Sequence, residues 1–79
     1  MTPSADISDV LDTSGLFCPE PVMMLHAKIR AMASGDIVRV IATDPSTQRD
    51  IPKFCNFLGH QLLEQQTQTE QFIYLIQKA

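Results

Sequence analysis

Short apolar runs alternate with segments of helical periodicity along these 79 residues, and this alternation constrains the fold more than any other feature. The apolar runs predict strands at Val10–Thr13, Asp36–Ala42, His60–Gln65 and from Glu70 or Gln71 to Gln77. The periodic segments predict helices at Pro19–Ala33 and from Pro45 to about Leu58. The order βαβαββ favours an α+β fold, a two-layer sandwich with both helices on one face of the sheet. We expect a single domain over residues 1–79, of which about 1–8 form a flexible lead-in.

The apolar residues also predict which faces are buried. Phe72–Ile76 is a continuous apolar run, which is typical of a central strand, whereas Arg39 interrupts its strand and marks the uncovered face of the sheet. In the helices, residues at helical spacing form one core-facing stripe each: Val22, Leu25, Ile29 and Met32 in the first, and Ile51, Phe54, Cys55 and Leu58 in the second.

Composition excludes several classes of protein. The net charge of −3 argues against a nucleic-acid-binding domain, whose footprint is basic, so no direct nucleic-acid partner is expected. No apolar run approaches the length of a membrane span, and the amino terminus lacks the charged and apolar regions of a secretion signal. A chain of this size buries only about 60–65% of its surface, so an enclosed active site is not expected. We therefore expect a cytoplasmic protein that is monomeric in isolation.

The two cysteines, Cys18 and Cys55, are too few for a secreted disulfide framework and lack the paired spacing of a metal site. Reduced thiols are expected, with no cofactor and no metal. Cys55 lies on an apolar stripe and is interpreted as a core residue, the alternative being a resolving thiol for Cys18. His26 and His60 are interpreted as boundary or structural residues, and two dispersed histidines make a poor case for zinc.

Cys18 is the candidate catalytic residue, because it directly precedes a predicted helix that begins with proline. We predict Cys18 at the N-cap and Pro19 at the first helical position, where the fixed φ of proline suits the helix. Glu20 and Pro21 complete the first turn, and the amides of Glu20 and Val22 are expected to point at the sulfur. A thiol there feels the positive end of the helix dipole, which predicts a lowered pKa. The alternative is an inert buried cysteine.

A partner surface is also predicted around Cys18. Met23 and Met24 lie away from the core stripe, and exposed methionines suit adaptable contacts; the alternative is that Met23 packs against the second helix. Basic residues on the helices would steer an acidic partner, although a solvated face is the commoner explanation. The surface comprises Phe17, Met23, Met24, Lys28, Arg49 and Lys53.

The motifs resemble one known family. Gly15-Leu16 followed by Cys18–Val22, then Asp44-Pro45, Arg49–Pro52 and Phe54-Cys55, are similar to the TusA (SirA-like) sulfur carriers. This resemblance implies a mixed four-stranded sheet with a central last strand, like the C-terminal domain of translation initiation factor three. It also implies that Cys18 carries a persulfide received from a cysteine desulfurase. The sulfur would pass to a relay that makes 2-thiouridine in tRNA, or, in other members, to molybdenum-cofactor synthesis or sulfur oxidation.

The sequence thus predicts a sulfurtransferase that acts as a stoichiometric persulfide carrier rather than a self-sufficient enzyme. A thiol of low pKa is a good leaving group, so the same helix start would assist loading and unloading. A regulatory protein-interaction module without sulfur chemistry is the alternative. A thiol oxidoreductase is disfavoured, because Cys18-Pro19-Glu20-Pro21 lacks the second cysteine of a Cys-x-x-Cys motif.

Overall fold

A computed structural model describes residues 7–79 and confirms the predicted element order. Its elements are β1 (Ile7–Thr13), α1 (Glu20–Arg30), β2 (Ile37–Ala42), α2 (Thr47–Leu58), β3 (Gln61–Gln68) and β4 (Gln71–Gln77). Most of the predicted lead-in, residues 1–6, lies outside the described residues, and the strand predicted from Val10 begins at Ile7. Neither described helix is long and apolar enough to cross a membrane.

The four strands form one mixed sheet in the order β1-β2-β4-β3. β1 pairs in parallel with β2, whereas β4 lies antiparallel to both β2 and β3. β4 is therefore a central strand, as its continuous apolar run predicts. A register shift between Leu62 and Glu64 interrupts the pairing of β3, which is an edge strand.

The main core lies between the sheet and the two helices. Alternate residues of β2 and β4 face the helices, as the period of two in a strand requires. Arg39 points to the opposite face and is exposed, as predicted. The buried core residues that pack together in this layer include Leu11, Leu25, Ile29, Val38, Val40, Ala42, Ile51, Cys55, Tyr74 and Ile76.

Several predicted helix boundaries are wrong. α1 begins at Glu20, so its N-cap is Pro19 rather than Cys18, and it ends at Arg30 rather than at Ala33. α2 begins at Thr47 instead of Pro45, because residues 44–46 first form a turn. Leu58 was predicted to be buried but is 41% exposed; as the last residue of α2 it has no further helical turn to cover it.

A buried hydrogen bond holds the first turn of α2 against the central strand. The hydroxyls of Thr47 and Tyr74 lie 2.9 Å apart, and the Thr47 hydroxyl also donates to the Asp44 carbonyl at 2.7 Å. Both side chains are fully buried. The loop between β2 and α2 is thereby fixed relative to the sheet, and this loop supports the candidate site.

Candidate functional site

Cys18 lies on the loop between β1 and α1, where it is a free and exposed cysteine. Its backbone N–H donates to Asp44 Oδ2 at 2.7 Å. The same carboxylate accepts hydrogen bonds from the Ser46 N–H at 3.0 Å and from the Ser46 hydroxyl at 2.7 Å. Asp44 therefore joins two segments that are 26 residues apart in the chain, the Cys18 loop and the start of α2.

Asp44 is charged in this arrangement. The hydrogen bonds from the Ser46 hydroxyl and the Cys18 N–H lower the pKa of its carboxyl group. A charged acceptor makes stronger hydrogen bonds than a neutral one. The loop that carries Cys18 is thus held by an ionised side chain that is itself buried.

The sulfur of Cys18 faces side chains from the start of α2. A hydrogen bond with the Asp50 carboxylate raises the pKa of the Cys18 thiol, and partial burial and the negative charge of Asp50 act in the same direction. The positive charge of Arg49 and a hydrogen bond from Ser46 oppose this rise. The predicted lowering of the Cys18 pKa is therefore wrong. The dipole of α1 favours the thiolate, but Asp50 at the start of α2 adds a negative charge near the sulfur that favours the thiol.

Contrary to the prediction, the backbone amides at the start of α1 do not all point at the sulfur. The Glu20 N–H donates to the Phe17 carbonyl at 2.9 Å, so it is not available to the sulfur. Pro19 and Glu20 are exposed, whereas Pro21 is buried. The motif thus shapes the loop and anchors α1 through Pro21, a core contact that the sequence analysis did not predict.

An open groove of about 620 Å³ lies between α1 and α2, and Cys18 is part of its lining. Much of its lining is apolar, which suits contact with a protein segment rather than enclosure of a small molecule. The residues that line it are Cys18, Pro19, Val22, Asp50, Lys53, Phe54, Asn56 and Phe57.

Three site residues, Asp44, Asp50 and Phe57, are absent from those predicted from the sequence. Phe57 is 87% exposed although it is aromatic. Its signal was present in the sequence, because it lies off the Ile51 and Cys55 stripe of α2 and still carries a large apolar side chain. Asp50 lies in the Arg49–Pro52 motif block, but its proximity to Cys18 depends on how α1 and α2 pack.

The residues of the predicted partner surface occupy different environments. Phe17 and Met23 are 69% and 62% exposed, which excludes packing of Met23 against α2, and Met24 is partly exposed. Lys53 lines the groove. The other two cations are paired with acids: Arg49 Nε lies 2.9 Å from Asp50 Oδ1, and Lys28 Nζ lies 3.0 Å from Asp9 Oδ2.

Phe54 lines the groove, and its ring also lies near both histidines. The rings of His26 and His60 lie 5.9 and 5.8 Å from the Phe54 ring, centroid to centroid. His60 also accepts a hydrogen bond from the Ala79 N–H at 3.0 Å. Neither histidine lines the groove. Within residues 7–79 no three potential metal-ligating side chains come together.

Cys55 is a buried free thiol in the core, and burial raises its pKa to about 11. A thiol of that pKa is protonated at neutral pH, and the thiol form is a poor nucleophile. We expect Cys55→Ala to retain sulfur transfer and to lose about 1–2 kcal/mol of stability, because it leaves a small cavity. Urea unfolding and sulfur loading of the variant are the measurements. Normal stability with lost transfer would contradict the core role.

Comparison with known proteins identifies the family of the chain. The family model described as Sulfurtransferase TusA matches residues 9–78. The sulfur carrier protein TusA of Pseudomonas putida (strain GB-1) is 65% identical over 69 residues, which cover 87% of this chain and 86% of the relative. The sulfur carrier protein TusA of Pseudomonas aeruginosa (strain LESB58) is 60% identical over 78 residues, covering 99% of this chain and 96% of the relative. The resemblance seen in the motifs is confirmed, and the chain belongs to the TusA family of sulfurtransferases and sulfur carriers.

Proposed function

We propose that Cys18 accepts a persulfide sulfur from a cysteine desulfurase in the cytoplasm and relays it to an acceptor protein. The observation that carries this proposal is an exposed free cysteine that lines an open groove, in a chain of the TusA family. An open site suits a carrier, because the sulfur must be reached by the reactive cysteine of one protein and then by that of another.

Each transfer is a thiol exchange with balanced electrons. In loading, the Cys18 thiolate attacks the outer sulfur of the donor persulfide. The bond between the two donor sulfurs breaks, and the donor cysteine leaves as a thiolate that takes up a proton. In unloading, an acceptor thiolate attacks the outer sulfur now bound to Cys18, and Cys18 leaves. One sulfur atom moves in each step without an external oxidant or reductant.

We further propose that the acceptor belongs to the relay that forms 2-thiouridine in tRNA. The relatives are sulfur carrier proteins, which supports sulfur transfer by this chain. The choice of tRNA as the final acceptor is our proposal. Transfer of labelled sulfur from the loaded protein to purified tRNA-thiolation relay proteins would test this route. Transfer only to a molybdenum-cofactor or sulfur-oxidation acceptor would contradict it.

Exposed side chains around the sulfur are proposed to contact these partners. Phe17 and Met23 lie on the Cys18 loop and on α1, while Lys53 and Phe57 lie across the groove on α2. Large exposed apolar residues beside a reactive group suit a transient protein interface. Met24, Lys28 and Arg49 would contribute at its edge, the two cations mainly through long-range attraction.

Intact-mass spectrometry after incubation with a cysteine desulfurase and cysteine tests the carrier function. We expect the mass to increase by one sulfur atom, and the increase to be lost on treatment with a reductant. A sample whose Cys18 is first alkylated with iodoacetamide provides the control. Absence of the increase in the untreated protein would favour the regulatory interaction module.

A further inference from the structure

Asp50 is the one carboxylate among the described residues that line the groove, and it shares this groove with Cys18. Its carboxylate accepts a hydrogen bond from Arg49, whose Nε lies 2.9 Å from Oδ1, and it lies on the same groove as the Cys18 thiol. The pairing with Arg49 and the hydrogen bond with the thiol lower the pKa of Asp50. Asp50 is therefore ionised at neutral pH, and its negative charge favours the protonated form of the Cys18 thiol.

The position of Asp50 is fixed by the backbone. Its N–H donates to the Ser46 carbonyl at 2.9 Å in the first turn of α2, and Ser46 is bonded to Asp44, which also holds the Cys18 N–H. The hydrogen bonds thus connect Cys18 to the turn that carries Asp50. The segments that carry the carboxylate and the thiol are consequently held next to each other by the fold.

We propose that Asp50, which shares the groove with Cys18, is a positioning residue that keeps Cys18 as a thiol in the free protein, so that loading begins when a docked donor displaces the carboxylate. This inference rests on the proposed carrier function. A carboxylate at the sulfur disfavours the thiolate by charge repulsion and by stabilising the S–H form. Small electrophiles and oxidants react with the thiolate, so the free protein would be protected from them.

The other charged groups near the sulfur do not replace Asp50. Asp44 binds the backbone N–H of Cys18, and Arg49 favours the thiolate. Lys53 lines the groove as a cation. Removing the charge of Asp50 should therefore release the restraint, with Arg49 and the Ser46 hydroxyl left to favour the thiolate.

The test is a pH series of iodoacetamide alkylation rates on the wild type and on Asp50→Asn, with Cys55→Ala as background in both. We expect the apparent pKa of Cys18 to fall in Asp50→Asn. Each unit of fall gives tenfold more thiolate below the pKa but lowers its intrinsic nucleophilicity about threefold, so the net rate at pH 7 should rise about threefold per unit. Asp50→Glu should return the pKa towards the wild-type value.

Asp36→Asn is the matched control, because it removes the same charge at the opposite end of β2. The six residues of this strand separate it from the site by about 20 Å at roughly 3.3 Å per residue. An unchanged or raised Cys18 pKa in Asp50→Asn would overturn the proposal, and so would an equal fall in Asp36→Asn.

A second measurement compares two sulfur donors. Sodium tetrasulfide, which cannot dock, should load Asp50→Asn several-fold faster than the wild type, whereas loading by a desulfurase should change less. An equal change with both donors would contradict release by docking. Failure of the carrier function would appear separately, as absence of desulfurase-dependent loading in the wild type, because the alkylation series needs no sulfur donor.

Discussion

Cys18→Ser is expected to abolish sulfur loading while the protein keeps its fold. A serine hydroxyl forms no persulfide, and the structure shows no other exposed cysteine among residues 7–79. The fold should survive because the bond to Asp44 uses the backbone N–H of Cys18, which serine retains. Intact mass after incubation with a desulfurase and cysteine measures the loss, and thermal unfolding measures the fold.

Cys55→Ala is the control for this variant, since it removes the buried thiol and leaves the exposed one. If the Cys18→Ser variant still gained a sulfur atom, Cys55 would be the residue that carries it. Loss of cooperative unfolding in Cys18→Ser would instead show that Cys18 is a structural residue. Either result would contradict the role that we propose for it.

Ile51→Ala is expected to cause a large loss of stability, about 2–5 kcal/mol. Ile51 is fully buried between α2 and the sheet, so truncation removes apolar contacts and leaves a cavity. A domain of this size has a total stability of roughly 4–12 kcal/mol, so a substantial part of the population would unfold on mild warming. Urea unfolding with a common m-value measures the difference.

Asn56→Ala, an exposed position on the same helix, is the control and should change stability by no more than about 0.5 kcal/mol. Equal losses in both variants would indicate a general sensitivity of α2 rather than packing of Ile51. Because α2 carries Lys53 and Phe57 of the proposed partner surface, fraying of this helix should also slow sulfur loading by a desulfurase at temperatures where Ile51→Ala is still mostly folded.

The predictions that succeeded depend on local patterns and on motifs. The order of the elements follows from the change between strand and helix periodicity, and the central position of β4 agrees with its continuous apolar run. The exposure of Met23 follows from its angle on the helix. Family membership follows from the spacing of the two motif blocks.

The predictions that failed concern helix ends and the chemistry of the sulfur. Two hydrogen bonds from Ser46 to the Asp44 carboxylate stabilise a turn ahead of α2, where the sequence predicts a helix that starts with proline. At α1 the helix begins at Glu20, because the chain first closes a turn from the Phe17 carbonyl to the Glu20 N–H. Sequence alone ranks such competing turns poorly, since they differ by only one or two hydrogen bonds.

Neighbouring residues and fixed spacings are enough to predict the fold class, the family and the cysteine that is exposed. The surroundings of the Cys18 thiol depend instead on how distant segments pack. Asp50 lies 32 positions after Cys18 in the chain, and the packing of α1 against α2 brings the two together. Electrostatic effects act through space and fall off with distance, so the pKa of Cys18 depends on a neighbour that no local pattern identifies.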